Sequence, residues 1–208
     1  MSQPADLVAA ARAAGVTDAR VLDAIGEVPR AGFVPPGLAA RAYTDAPLRI
    51  PHWQVTTQPS LVAQMLAALA PSDRVLEVGT GSGWQTALLA RLAGHVWSIE
   101  RWADIASAAC VALERHGVEN ATVVVGDGSR GLAAHAPYHA ILVAAAFPRV
   151  PAPLVAQLAE GGRLVQPIGP GGADDVVLFA KRRGQLERRQ LVTGAHFVRL
   201  YGEYGFQD

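Results

Sequence analysis

The sequence has little of what commits a chain to an oxidising compartment, a membrane or a nucleic acid. Cysteine occurs once, at Cys110, which excludes an internal disulfide and any cysteine-rich metal site. Cys110 falls in an alanine-rich helical stretch, where a small buried side chain is expected rather than a reactive thiol. No apolar run approaches the length needed to span a bilayer. The opening residues Met-Ser-Gln-Pro-Ala-Asp lack a basic region followed by an apolar one, so no signal peptide is read and a cytoplasmic location is expected. Charge of either sign is missing as a surplus: Lys plus Arg number 18 and Asp plus Glu 18. No general field therefore draws the chain to nucleic acid or acidic membranes. Metal ligands are also sparse. His135 and His139 are four apart, but Pro137 breaks the helix that would put them on one face, so no metal site is read. What remains is the balance of a soluble globular chain, 208 residues long, half apolar and 17% charged. That length favours one domain, residues 1–208, with a sizeable core.

Taken in order, residues 4–14 and 18–28 read as two short helices broken at Gly15, with Thr17 or Asp18 placed to cap the second. Leu7, Val8, Val21, Leu22 and Ile25 would form their buried faces. Pro29 to Gly37 is a loop. From Tyr43 to Pro59 the prolines at 47, 51 and 59 forbid regular structure of any length. Leu48, Ile50, Trp53 and Val55 make the stretch too apolar for disorder, so it reads as an ordered active-site loop. Ser60 to Ala70 has helical spacing of Leu61, Val62, Met65, Leu66 and Leu69. Strands and helices then alternate: strand 74–78, helix 84–93, strand 95–99, helix 103–116, strands 122–125 and 139–144. A helix near 151–160 starts at Pro151 or Pro153 and ends at Gly161-Gly162. Strands 163–168, 175–181 and 186–192 follow, the last two as an antiparallel hairpin. The fold class expected is α/β, a doubly wound and mostly parallel Rossmann-like sheet. Lys181-Arg182-Arg183 and Arg188-Arg189 fall on the terminal hairpin, where charge guards a sheet edge, so no nucleic-acid contact is assigned to them.

The chemistry centres on Arg74 to Gly83, Arg-Val-Leu-Glu-Val-Gly-Thr-Gly-Ser-Gly. A buried strand stops at glycines 79, 81 and 83, and a helix begins at Trp84, an arrangement that brings backbone N–H groups close to a nucleotide-like ligand. A dinucleotide fingerprint requires G-x-G-x-x-G, but the third glycine comes one position early and Trp84 fills the expected place. The pattern Glu77-x-Gly79-x-Gly81-x-Gly83, with Thr80 and Ser82 inside it, resembles the nucleoside-methionine loop of S-adenosylmethionine (SAM) methyltransferases. Nicotinamide or flavin binding and a purely structural turn remain alternatives. Glu77 is able to accept from an ammonium or hydroxyl. Glu100, followed by Arg101, stands about twenty residues beyond the first glycine at a strand end, where an acid grips ribose hydroxyls. Asp127-Gly128 ends the next strand and suits an adenine amino group. An acceptor oxygen of low pKa needs no strong base, whereas an amine or alcohol would; His52 is the nearest candidate for one.

Beyond that loop the chain resembles the protein-L-isoaspartate (D-aspartate) O-methyltransferase family of class I SAM-dependent methyltransferases. The matching stretches are Val28-Pro29-Arg30 with Phe33-Val34-Pro35, Ala42-Tyr43 through Leu48 and Ile50, Gln54 to Pro59, Val75 to Ala90, Ser98-Ile99-Glu100-Arg101, Gly126-Asp127-Gly128, Leu158 to Gly162 and Phe197-Val198. The resemblance implies methyl transfer from SAM to the α-carboxyl of isoaspartyl residues in damaged proteins and peptides, the ester then closing to a succinimide. It implies that Gly79 and Gly81 approach the methionine part, Glu100 the ribose, and Asp127 with Gly128 the adenine. It divides the chain into an acceptor-side segment, 1–70, and a SAM-binding core, 71–208. The family's active-site serine falls on Thr57, which keeps the hydroxyl. The acceptor is expected beside Trp53, Gln54, Val55, Gln58, Ala144 and Arg199. Several of these depart from the family pattern: Trp53 replaces Gly, Val55 Thr, Thr56 Ile, Ala144 Thr and Arg199 Pro. Trp53 either stacks over the acceptor or packs as core; Arg199 either pairs with the acceptor carboxylate or is simply exposed. A monomer is expected. The alternatives are a relative that methylates one aspartate of a dedicated peptide or another small acceptor, and a SAM-binding protein without activity.

Overall fold

The computed structural model of the chain describes residues 3–207; Met1 and Ser2, which open the N-terminal stretch read above, and Asp208 lie outside the described residues. Two helices come first, α1 (Pro4–Ala13) and α2 (Ala19–Glu27). Asp18 caps α2, its carboxylate accepting from the Arg20 N–H at 3.0 Å. β1 (Leu48–Arg49) and β2 (Val55–Thr56) then form a small antiparallel hairpin, Leu48 opposite Thr56 and Arg49 opposite Val55. This corrects the expectation of no regular structure between 43 and 59. Pro47 and Pro51 flank the first strand instead of interrupting it, so neither is asked for a ladder N–H.

After α3 (Pro59–Leu69) come β3 (Arg74–Val78), α4 (Trp84–Leu92), β4 (His95–Glu100), α5 (Ala103–Arg115), β5 (Ala121–Val125), β6 (Tyr138–Val143), α6 (Ala152–Gln157), β7 (Leu158–Ile168), β8 (Asp174–Arg182) and β9 (Gln185–Ala195). They build one sheet in the order β5-β4-β3-β6-β7-β8-β9. Pairings from β5 to β7 are parallel, and β7–β8 and β8–β9 are antiparallel. The chain leaves β3 to lay β4 and β5 on one side and returns to lay β6 on the other. The crevice where strand order reverses is therefore at the carboxyl ends of β3 and β6.

The central strands are apolar throughout because both of their faces are covered. Val75, Ala140 and Leu142 join the cluster formed with α1 to α4, while Leu76, Val78, Ile141 and Val143 join the cluster under α6 and the C-terminal segment. Each such leucine or isoleucine contributes roughly 1.5–3 kcal/mol by leaving water. By the same alternation, residue 77 of β3 points towards α4.

Helix α6 ends earlier than read from the sequence. Leu158 already pairs with Tyr138, and Lys181 on β8 donates to the Val155 and Leu158 carbonyls at 2.9 and 2.8 Å, which closes the last helical turn. Asp174, 4% exposed, accepts from the N–H groups of Gly171, Gly172 and Phe197. That bond to Phe197 turns the chain after β9 back over the sheet, where Ala146 exchanges hydrogen bonds with Val198 and Leu200, both at 2.8 Å.

Cys110 contradicts the expected burial. α5 buries Ile105, Ala106, Ala109 and Leu113, and the next position round, 110, faces solvent. In the native protein Cys110 should accordingly form a mixed disulfide with an aromatic disulfide reagent, releasing one equivalent of the aromatic thiolate within minutes and without denaturant. A thiol that reacts only after unfolding would contradict this placement of α5.

Candidate active site

The glycine loop is built from both sides of the crevice. Gly79, with φ +96°, leaves β3 where an added Cβ would lie 3.4 Å from the Ala144 Cβ, just beyond β6. Gly83, with φ +87°, begins α4 and lies so close to α5 that a Cβ would meet that of Ala109 at 3.3 Å. Both positions demand a left-handed backbone and no side chain.

Glu77 is corrected as a ligand-contacting residue. It is 0% exposed and lines no cavity, because the alternation of β3 aims it under the loop. Its Oε1 accepts from Gln85 Nε2 at 2.9 Å, and its Oε2 from Thr86 Oγ1 at 2.5 Å and Ser98 Oγ at 2.6 Å. Thr80 Oγ1 extends the chain to Ser98 Oγ at 2.5 Å. Burial pushes the Glu77 carboxyl up to about 7, although Ser98, Thr86 and Gln85 pull it down; the Glu100 charge adds to the rise.

Above this network lies a cavity of about 880 Å³, counting the open solvent at its mouth. Its floor is Gly79, Thr80, Gly81 and Ser82. Glu100, 6% exposed, lines it from the end of β4, with Oε2 accepting from Gly81 N at 3.0 Å and Oε1 from Trp102 N at 3.1 Å. An ionised carboxylate has about four acceptor sites, so these two bonds leave room for ligand hydroxyls. Arg101 lines the cavity too, its guanidinium 5.2 Å from the Tyr201 ring centroid. Of the third strand-end pair only Gly128 reaches the cavity. The Asp127 carboxylate turns away to Ser129, at 2.9 Å from its N–H and 2.6 Å from its hydroxyl, and to Glu203 N at 2.8 Å. Partial burial opposes its ionisation, but Ser129 and Glu203 hold its carboxyl below the usual range.

The β1–β2 hairpin forms the opposite wall through Ile50, Gln54 and Val55. Its tip carries His52 and Trp53, both left-handed at φ 58° and 59°. The His52 ring stacks on Trp102 at 4.0 Å, and its Nε2 lies 2.8 Å from the Asp104 carboxylate, which latches the hairpin to the start of α5. Trp53 does not pack as core: it is 86% exposed, at the hairpin tip, and lines neither this cavity nor the groove beside β9. Arg199 borders the cavity mouth, but its Nε donates to the Pro170 carbonyl at 2.9 Å and its guanidinium covers Phe206.

A second groove runs beside β9, lined by Gln58, Leu61 and residues 193–198. Val55, Thr56, Thr57, Ala144 and Val198 line both spaces, so Thr57 stands on the seam between them. Gln58 Nε2 donates to Asp45 Oδ2 at 2.9 Å and to Ser60 Oγ at 3.0 Å. Sequence reasoning missed Gln85, Ile105 and Tyr201 in the cavity and Thr193 to His196 in the groove. Gln85 lay within a quoted motif; the others carried no local signal. Among the described residues no group of three or more metal-ligating side chains converges.

An open parallel sheet whose switch point carries a glycine loop, a strand-end glutamate and an Asp-Gly turn defines a Rossmann-like methyltransferase. More particularly, the chain matches the family model described as protein-L-isoaspartate(D-aspartate) O-methyltransferase over residues 2–204, and it belongs to that family. It is 50% identical over 198 residues to the protein-L-isoaspartate O-methyltransferase of Methanoculleus marisnigri, covering 94% of this chain and 90% of the relative. A solved protein-L-isoaspartate O-methyltransferase superposes with a TM-score of 0.83 at 29% identity, over 98% of this chain and 67% of the other. A Plasmodium falciparum homologue, described as a complex with S-adenosyl-L-homocysteine, shares the fold with a TM-score of 0.80 at 22% identity, over 97% of this chain and 99% of that one.

The enclosed Glu77 makes a pH-dependent prediction. Unfolded, it titrates near 4.5; folded, it keeps its proton up to about 7. Its contribution is complete below the unfolded pKa and declines as pH rises through the folded one, by on the order of 3 kcal/mol. Glu77→Gln should lower Tm at about pH 5 and lose that disadvantage by about pH 8. A Tm difference unchanged with pH would show that Glu77 does not titrate in this window.

Proposed function

We propose that the protein transfers the methyl group of SAM to the α-carboxylate of L-isoaspartyl residues in damaged proteins and peptides. The observation that carries this reading is the seam, where Thr57 and Ala144 line both the cavity on the glycine loop and the groove beside β9. The residues present fit the cofactor. Gly79 leaves a space that a Cβ would fill, Glu100 keeps acceptor sites for ribose hydroxyls, and Gly128 offers a backbone edge to the base. Thr80, Gly81, Ser82 and Arg101 complete that side. Asp127 is left out of it, since its carboxylate is turned to Ser129 and Glu203 and does not line the cavity.

When bound, SAM supplies a methyl group already activated on a sulfonium. The chain then has to align an acceptor and keep water away. The Thr57 hydroxyl donates to the acceptor carboxylate and orients one oxygen across the seam. The hairpin latched at His52 and the Val198 to Tyr201 wall exclude water from the cavity. A carboxylate is ionised at neutral pH and needs no general base. Val55, Gln58 and Ala144 line the acceptor side; Gln54, on the cavity wall, belongs with the cofactor. The ester leaves the groove and closes to a succinimide unaided, and hydrolysis returns some normal aspartate. The same reading has the protein act as a monomer in the cytoplasm, on isoaspartyl proteins, with no nucleic-acid or membrane partner. No helix among the described residues is long and apolar enough to cross a membrane.

Labelled SAM with an isoaspartyl peptide and its normal-aspartyl twin tests the reading: label should enter the first and not the second. Equal labelling of both would overturn it. Thr57→Ala, which removes one charge-assisted hydrogen bond, should cut kcat about 10- to 100-fold while S-adenosylhomocysteine affinity measured by calorimetry stays within about threefold. Unchanged turnover would place the acceptor elsewhere.

A further inference from the structure

Arg30 lies in the 3-10 turn after α2 and is 0% exposed. Burial lowers its pKa to about 10, against the pull of the Asp45 charge, so it stays ionised at neutral pH. Its guanidinium is bound by backbone carbonyls and one hydroxyl. Nη1 donates to Ala42 O at 3.0 Å and Thr44 O at 3.1 Å; Nη2 donates to Ala46 O at 3.1 Å, Thr56 Oγ1 at 2.8 Å and Thr57 O at 3.4 Å. Asp45 spends its own oxygens on Ser60 N at 2.8 Å and Gln58 Nε2 at 2.9 Å. The carbonyls of 42, 44, 46 and 57 lie outside helices and strands, so they need partners that no ladder supplies. One planar fork meets that need for two segments at once and fixes their spacing, which a lysine ammonium with three donors cannot do.

We propose that Arg30 is a positioning residue for methyl transfer: lining neither cavity, it holds Thr56 and Thr57 on the seam and so sets where the Thr57 hydroxyl meets the acceptor. The proposal rests on the reading above that Thr57 touches the acceptor. Arg30 sends all five of its hydrogen bonds to the segments of 42–46 and 56–57 and touches the cofactor side only through the face of the Trp84 ring, while the glycine loop is held by the hydrogen bonds around Glu77. Its loss therefore changes turnover without a matching change in cofactor affinity.

The test uses the full-length protein with Arg30→Lys, Thr56→Val, Thr56→Ser and the Arg30→Lys/Thr56→Val double variant. Arg30→Lys is expected to lower kcat on the isoaspartyl peptide about 10- to 100-fold, as a misplaced reacting group does, with S-adenosylhomocysteine affinity within about threefold of wild type. Thr56→Val should move kcat the same way, and Thr56→Ser, which keeps the hydroxyl, should recover most of the loss. The effects in the double variant should be less than multiplicative, since both substitutions break the Arg30–Thr56 bond, while Thr56→Val also takes the acceptor from Leu48 N. A kcat within about twofold of wild type, a loss of affinity equal to the loss of kcat, or fully multiplicative effects would overturn the proposal. If Arg30→Lys does not fold, the Thr56→Val and Thr56→Ser pair decides by the same criteria. Hydrogen exchange needs no acceptor and separates this proposal from the functional reading. Amides of 42–58 should exchange faster in Arg30→Lys, or in Thr56→Val, with 79–83 unchanged; equal protection of 42–58 overturns the role of Arg30 whatever the acceptor proves to be.

Discussion

Glu77 accepts three hydrogen bonds in a place that water does not reach, and the cofactor end of the molecule takes its shape from them. Gln85 and Thr86 belong to the first turn of α4 and Ser98 belongs to β4, so one carboxyl group ties β3 to α4 and to β4. The glycine loop is strung between those tied ends, and Thr80 is fastened from below through Ser98. Removing the acceptor would strand buried donors, each costing about 1–3 kcal/mol. The loop is thus fastened on its hidden face, which is how a site is held to a productive geometry before a ligand arrives.

The acceptor side repeats that logic with the opposite charge. There a buried cation, Arg30, gathers carbonyls from two irregular segments, as the buried acid gathers donors. The two networks meet at Trp84. Its ring lies under the Arg30 guanidinium at 5.4 Å, its Nε1 donates to the Val28 carbonyl at 3.2 Å, and it begins the helix that Glu77 holds through Gln85 and Thr86. A dinucleotide fingerprint would place a small residue here for close packing of helix and strand. In this chain a large indole occupies the position and joins α4 to Arg30 and to the end of α2.

What could be read from the sequence was local. Strand and helix order, the glycine turn, the strand-end Glu100 and the Gly128 edge each follow from a few neighbouring residues, and the structure puts all of them at one sheet edge. What could not be read depends on partners far along the chain. Arg30 looks like one more charged residue in a loop until carbonyls 12 to 27 residues away converge on it. Asp127 is diverted from the cavity by Glu203 N, 76 residues on. α6 stops at Gln157 because Lys181, from another strand, takes its carbonyls. Glu77 sits in a recognisable motif, yet whether such an acid faces ligand or core is set by which face of β3 lies against α4.

The chemistry of the seam narrows the acceptor further than the fold does. The residues that line both spaces are Val55, Thr56, Thr57, Ala144 and Val198, and none of them titrates near neutrality. The Thr56 hydroxyl already accepts from Arg30 and from Leu48 N, at 2.8 and 3.1 Å. His52, the nearest imidazole in sequence, is held by Trp102 and Asp104 on the far side of the hairpin tip. An amine or alcohol would have to shed a proton during transfer, to a base placed within hydrogen-bond reach. The seam supplies threonine hydroxyls instead, and on the reading proposed above that of Thr57 orients the acceptor without deprotonating it. Such a site favours a nucleophile that arrives ionised, and among protein functional groups at neutral pH that is a carboxylate.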